Sequence, residues 1–541
     1  MRRAAVLAVL GLLVASGAGA ESPPPSDAAR WWSHVEFLAS DALEGRATGS
    51  EGHRKAAAYV ADTLASLGVK PAFPSGYYQE VALRSRRLVE EKSRLSLARD
   101  GREKALTLGL DAILVSRTGA TGSVDAPLVF VGQGLSMPEA GHDDFAGLDL
   151  RGKVAVILVG GGPRDVSGVQ RAHHGSWTER AAVLERLGAV GVVMLQNPKY
   201  IEVPWERTAA ARKNPAMTFA EPALQEGTRL KVQVSVNATR AGVWFEGAPH
   251  SYNELVALAN DGKPLPKFEL PWRLRATLDI ATEPVTSVNV VGVLPGTDPV
   301  LSREYVIVSA HLDHLGVGEP VRGDRIYNGA MDNASGVAAV LEVARALAQA
   351  PVRPRRSVLF ALVTGEEKGL LGSRYLAQHP PAPGTSCVAD LNLDMFLPLV
   401  PFTHVVALGM NESSLIEPLR RVAAERGVKV LADPEPDRLL FVRSDQYSFV
   451  REGIPALAFK FGYEPGSTAE RLMKQWFPER YHAPSDDVRQ PVDQEGAARF
   501  VQFLSVLTRA VADGAERPRW NDDSFFRRFA TSVSPADAGV R

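Results

Sequence analysis

In the C-terminal half of this chain, imidazoles and carboxylates recur where apolar runs end. The run 305–310 (YVIVSA) leads into His311-Leu-Asp313, 357–363 leads to Glu366-Glu367, and 386–393 is followed by Asp394. Asp332 sits in a glycine-flanked stretch, Gly329-Ala-Met-Asp-Asn-Ala-Ser-Gly336, and His482 follows Tyr481. Short continuous apolar runs are strands covered on both faces. Between them the spacing predicts amphipathic helices at 334–348, 414–426 and 494–512; Val337, Val340, Leu341, Ala344 and Leu347 share one face of the first. Strands alternating with helices imply an α/β fold: a mixed, mostly parallel twisted sheet with helices on both faces. In such sheets, sites form outside the carboxyl ends of the strands, so residues far apart in sequence converge there.

The converging residue types carry a specific chemistry. A lone carboxylate closing an apolar run is costly unless something partners it. Zinc accepts imidazole nitrogen or carboxylate oxygen at about 2.0–2.2 Å. Two ions roughly 3.5–4 Å apart need a bridging carboxylate. Asp332, in its glycine-flanked loop before a helix, is suited to that bridge. Glu366 and Glu367 are adjacent, so their side chains diverge: one can bind metal while the other serves as general base. Asp313, two residues from His311, is placed to orient the imidazole through its second ring nitrogen.

The rest of the sequence bounds partners and compartment. The 541 residues carry a net charge of −1, so no global field draws the chain to nucleic acid or an anionic membrane. Cys387 is the only cysteine; it permits no intrachain disulfide and sits in an apolar stretch that favours burial. Arg2-Arg3, the apolar Ala4 to Val14 and Ala18-Gly19-Ala20 read as an export signal cut after residue 20, with a mature protein in the periplasm or outside the cell. Residues 22–27 are a linker, Leu43 to Gly49 a polar glycine-punctuated loop, and Ala57, Val60, Leu64 and Leu67 one face of a helix closed by Gly68. From 120 to 283 short β-like runs recur (127–131, 154–158, 191–195, 230–235), with one helical run, Glu179 to Leu187. His173-His174 falls there, and adjacent histidines on a regular element are expected to point apart rather than share a metal. The tail from 515 to 541 is polar and expected to be poorly ordered.

Taken motif by motif, the chain resembles the M28 zinc aminopeptidases. The motifs are Ser309-Ala-His-Leu-Asp313, Gly329-Ala-Met-Asp-Asn333, Gly365-Glu-Glu367, Asn392-Leu-Asp-Met395 and Tyr481-His482, within residues 30–115 and 285–512. The resemblance implies a zinc-exopeptidase fold and two zinc ions per chain. His311 and Asp394 would hold one, Glu367 and His482 the other, with Asp332 bridging. It implies Glu366 as general base, Asp313 as the orienter of His311, and a cis peptide bond at Asp332–Asn333. Tyr481 resembles the tyrosine oxyanion donor of part of the family. Residues 120–283 resemble a protease-associated (PA) domain inserted into the peptidase, which in relatives covers or flanks the cleft. The expected reaction is removal of N-terminal residues from peptides. A carboxypeptidase acting on acidic C-termini stays open, with Arg443 as the one candidate carboxylate clamp, as does a catalytically inactive receptor-like scaffold.

Overall fold

A computed structural model describes residues 26–118, 121–382 and 384–532. The export signal and the last nine residues lie outside the described residues. The larger sheet runs in the order Ala216–Phe219, Tyr78–Leu88, Ile280–Leu294, Ser357–Val363, Glu304–His311, Ser386–Leu393, Ala456–Phe461, His404–Leu408, Lys429–Leu431, with Lys70–Pro71 beside Ile280–Leu294. Its centre is parallel: Glu304–His311 pairs with Ser357–Val363 and Ser386–Leu393, and the last with Ala456–Phe461. The antiparallel strands lie outside this centre.

Both faces of the parallel centre are covered, as the apolar runs require. Val306, Val308 and Phe360 face helices Ser335–Ala348 and Gln494–Ala512 through Val337, Leu341, Phe500 and Leu504. Ile307, Leu359 and Ala361 face the opposite way, onto Leu376 and Phe449. The alternation of strand side chains thus feeds two separate apolar layers. Helix Asp27–Leu38 closes the first layer with Trp31, fully buried, whose indole donates to Ser335 O at 3.2 Å.

The second sheet is ordered Arg102–Ala105, Arg94–Arg99, Phe268–Leu278, Gly122–Phe130, Val154–Val159, Gly191–Gln196, Val232–Val236, Ala112–Leu114. It opens at Arg94, earlier than the change in texture at 120 indicates, because the alternating Arg94–Arg99 pairs with Phe268–Leu278. The chain leaves the first sheet after Leu88 and returns at Ile280, which is Leu88's partner in the ladder. One strand of this insert goes back: Ala216–Phe219 pairs with Leu83–Arg86 at the edge of the first sheet. The polar tail is also more ordered than its composition suggests. Trp520 and Phe526 are buried against Phe441, Val442 and Tyr447, and the Trp520 indole donates to Gly453 O at 2.9 Å.

Candidate metal centre

Each candidate ligand is fixed by the element before it. His311 is the last residue of its strand, Asp394 follows Ser386–Leu393, and Glu366-Glu367 occupy the turn after Ser357–Val363, where Gly365 takes φ +68°. Asp332 lies in the turn ahead of helix Ser335–Ala348, and its peptide bond to Asn333 is cis. That turn is held from both sides. The Met331 and Asp332 amides donate to the Asp486 carboxylate at 2.9 and 3.0 Å, and Asn333 Nδ2 donates to Leu393 O at 2.8 Å. Burial pushes the Asp486 carboxyl up to about 6 despite the amides that favour its charge.

Two groups of three donors result: His311 with Asp332 and Asp394, and His314 with Asp332 and Glu367. His311 Nε2 stands 3.2 Å from Asp332 Oδ1 and 3.5 Å from Asp394 Oδ1. On the other side His482 Nε2 stands 3.4 Å from Asp332 Oδ2 and 3.3 Å from Glu367 Oε2. Asp332 therefore turns one oxygen to each group. His311 Nε2, Asp332 Oδ2, Glu367 Oε1 and Asp394 Oδ1 are buried without a hydrogen-bond partner. Buried polar atoms are normally paired. A converging set of unpaired nitrogen and carboxylate donors fits a divalent metal pair.

His314 is the residue that motif reasoning passed over. It is fully buried, with Nδ1 2.8 Å from Glu367 Oε1 and 3.8 Å from Asp332 Oδ2. The spacing His311-x-x-His314 at a strand end was the available signal. Asp313 does not orient the His311 ring through its carboxylate. His311 Nδ1 donates to the backbone carbonyl of Asp313 at 3.0 Å, not to its side chain. The carboxylate instead accepts from Thr48 Oγ1 at 2.8 Å and from the Glu366 amide at 3.2 Å. The tight turn after the strand brings the carbonyl, not the carboxylate, back under the ring.

Arg46, from the loop Leu43–Gly49, is buried beneath both metal-ligand loops. It donates to Leu312 O at 3.0 Å, Asn328 O at 2.7 Å, Gly329 O at 3.0 Å and also to Leu38 O. Burial lowers its pKa to about 10, against the pull of Asp486, Asp313, Asp332 and Glu367. One guanidinium thus pins the two loops that carry His311 and Asp332.

Glu366 faces a small pocket beside the donors, shared with Tyr481, His482, Lys460 and Met395. Burial raises its carboxyl well above the usual range; His311 opposes this, while Asp394 and Glu367 add to it. A carboxyl displaced upward accepts a proton more readily than an ordinary one. Burial likewise raises the Tyr481 phenol, so it remains a donor.

Arg443 reaches this pocket but is engaged. Its two Nη atoms donate to Glu202 Oε1 and Oε2 at 2.8 and 2.9 Å, and Arg438 Nε donates to Oε1 at 2.9 Å. Burial works against the Glu202 charge, yet the two arginines hold its carboxyl at about 2. Glu202 comes from the insert. So does Arg207, which donates to Tyr481 O at 2.8 Å and Pro478 O at 2.7 Å, gripping the end of helix Thr468–Arg480 just before His482. Long-range partners of this kind leave no local sequence signal.

His173 and His174 do not point apart. Their rings lie 4.7 Å from each other on helix Gly168–Gly175, and with Glu179 they form a third donor group. One nitrogen of each ring is already engaged, His173 Nδ1 at 2.6 Å from Tyr447 Oη and His174 Nε2 at 2.7 Å from Glu139 Oε1. Arg451 holds Glu179 at 2.7 Å.

The sequence profile of peptidase family M28 matches residues 289–508, the stretch that contains His311, His314, Asp332, Glu366, Glu367, Asp394 and His482. Residues 289–508 form an M28 peptidase domain. Over 210 residues the chain is 29% identical to leupeptin-inactivating enzyme 1 of Streptomyces exfoliatus, covering 38% of this chain and 44% of that one. Over 113 residues it is 37% identical to a probable zinc metalloprotease of Pyrenophora teres f. teres, covering 21% and 23%. The matched stretches thus span less than half the length of either relative. An aminopeptidase from Aneurinibacillus sp. strain AM-1 shares the fold across 91% of this chain and 98% of its own, with TM-score 0.52 at 19% identity. In the M28 domain His311, Glu366, Glu367 and Asp394 stand at or beyond strand ends, Asp332 and His482 beside helix ends, and the insert enters through an antiparallel edge of the same sheet.

Proposed function

We propose that the chain is a di-zinc exopeptidase that removes N-terminal residues from peptides. The observation that carries the reading is Asp332, whose two oxygens face two donor groups at once. His311 and Asp394 would hold one zinc and Glu367 with His482 the other, with Asp332 common to both and His314 bordering the second. Bound there, zinc supplies Lewis acidity and brings the pKa of water toward about 7.

The protein's own groups do the rest. Glu366 takes the proton of the attacking water and returns it to the leaving amine, a role its upward-shifted carboxyl supports. The Asp313 carbonyl fixes the His311 ring, and the Asp313 carboxylate fixes the Glu366 backbone. Tyr481, kept protonated by burial, donates to the developing oxyanion. The carboxypeptidase reading is weakened by Glu202, which already fills the Arg443 fork. The insert, as a PA-like domain, flanks the cleft, and the N-terminal signal directs the chain to the periplasm or medium; N-terminal sequencing of the secreted protein checks the latter.

The test is Glu366→Gln together with a choice of substrate ends. Loss of about 10²–10⁴ in kcat with zinc content retained is expected. Wild-type hydrolysis of amino-acid p-nitroanilides, with N-blocked dipeptides resistant, is expected alongside. Turnover by Glu366→Gln near that of wild type would sink the assignment of the base, and preferential cleavage of the blocked dipeptides would sink the aminopeptidase reading.

A further inference from the structure

Beyond the metal donors, unpartnered buried polar atoms gather at a second place. Arg171 Nε, Trp177 Nε1 and Arg180 Nε are buried without acceptors, and all three residues line one cleft of about 1210 Å³ between the insert and the M28 domain. All three atoms are donors. Tyr481 and His482 line the same cleft, so it is continuous with the metal centre.

Two arginines on this cleft form no ion pair among the described residues, with Asp144 acting on Arg180, and Glu226 and Glu366 on Arg117, only from beyond ion-pair distance. Arg180 is 8% exposed and makes one hydrogen bond, to Gln133 O at 3.0 Å. Arg117 is half-buried and makes one, to Lys368 O. The acids nearby are occupied: Glu226 by Arg374 at 2.9 Å and Thr178 at 2.9 Å, and Asp437 by Arg171 at 3.2 Å. Taking a cation out of water without a partner costs several kcal/mol. Burial draws Arg180 down to about 10, which leaves it charged at neutral pH. Arg117 lies against Gly369, where a Cβ would come 2.6 Å from its Nη1, just past the turn that carries Glu366. A guanidinium fork matches a carboxylate bidentately.

We infer that this wall is a carboxylate subsite that receives the free C-terminus of a short peptide, with Arg117 nearer the metal centre and Arg180 farther from it. The inference rests on the aminopeptidase reading: the N-terminus lies at the metals and the leaving fragment extends along the cleft. The preferred substrates are then di- to tetrapeptides with a free α-carboxylate.

The experiment is calorimetric binding of Ala-Ala-Ala and of Ala-Ala-Ala amide to the zinc-loaded Glu366→Gln protein, repeated with Arg117→Gln and Arg180→Gln added. The free acid is expected to bind at least about 10-fold more tightly than the amide, and the ratio to fall toward one in one or both arginine variants. Acid and amide within two-fold in the chain with both arginines intact overturns the inference, and so does a ratio unchanged by either substitution. The first comparison needs no arginine variant to fold. Leucine p-nitroanilide carries no carboxylate, so failure of the wild type to cleave it counts against the aminopeptidase reading and leaves the acid-to-amide ratio to judge the subsite separately.

Discussion

Replacing Arg207 with methionine keeps most of the side-chain stem and removes the guanidinium that ties the insert to the segment before His482. Two carbonyls then lose charge-assisted hydrogen bonds, each worth about 1.5–3 kcal/mol. Arg207 is only half-buried, so the lower end applies, and the combined loss is about 3 kcal/mol. The other carbonyls at this helix end have their own donors: the Tyr481 amide on Phe477 O, Ser485 Oγ on Glu479 O and the Ala483 amide on Arg480 O. The loss therefore falls on Pro478 and Tyr481, and loosens the residue that precedes the ligand. Partners that orient a ligand typically contribute 10–100-fold in metal affinity, so a drop of about that size is expected for one zinc only. Titration of metal-free protein with zinc against a chromophoric chelator resolves the two affinities. The step assigned to His482 and Glu367 should weaken and the step assigned to His311 and Asp394 should stay. Two unchanged steps, or equal weakening of both in a protein of unchanged thermal midpoint, would refute the reasoning.

Other consequences follow from the same contacts. Glu202 is held at about 2 instead of 4.5, so its ion pair with Arg443 and Arg438 stabilises the fold above pH 4.5 and loses that contribution as pH falls toward 2. Its ceiling is about 3 kcal/mol. The difference in urea stability between wild type and Glu202→Gln should be flat from pH 8 to 5 and shrink below 4.5; a constant difference down to pH 3 contradicts the pairing. Asp332→Ala should reduce bound zinc at both positions, read by elemental analysis after dialysis, whereas Asp394→Ala should spare the position at Glu367.

Three strands of the parallel centre were legible because they are apolar on both faces and each leads into a donor. The runs 305–310, 357–363 and 386–393 correspond to strands Glu304–His311, Ser357–Val363 and Ser386–Leu393. His311, Asp332, Glu367, Asp394 and His482 meet as their order in the sequence implies. What stayed hidden depends on partners distant in sequence. Arg46 reads as one more polar residue of a glycine-rich loop, and only the folded chain shows four carbonyls closing on it. Glu202 lies 241 residues from Arg443, and Arg207 lies 274 from Tyr481. The start of the insert was misjudged because Arg94–Arg99 is short and charged at both ends, with its apolar alternation visible only beside its partner strand. The Asp313 carboxylate was placed on the wrong neighbour because residue spacing does not distinguish a side-chain oxygen from a main-chain one.

Strand Ala216–Phe219 belongs by sequence to the insert and by hydrogen bonding to the catalytic sheet. A body sewn to its neighbour at a third seam, beyond the paired entry and exit strands, cannot swing on those two strands as a door on a hinge. Any displacement of the insert would have to bend or part the Ala216–Phe219 ladder as well as the two connecting strands.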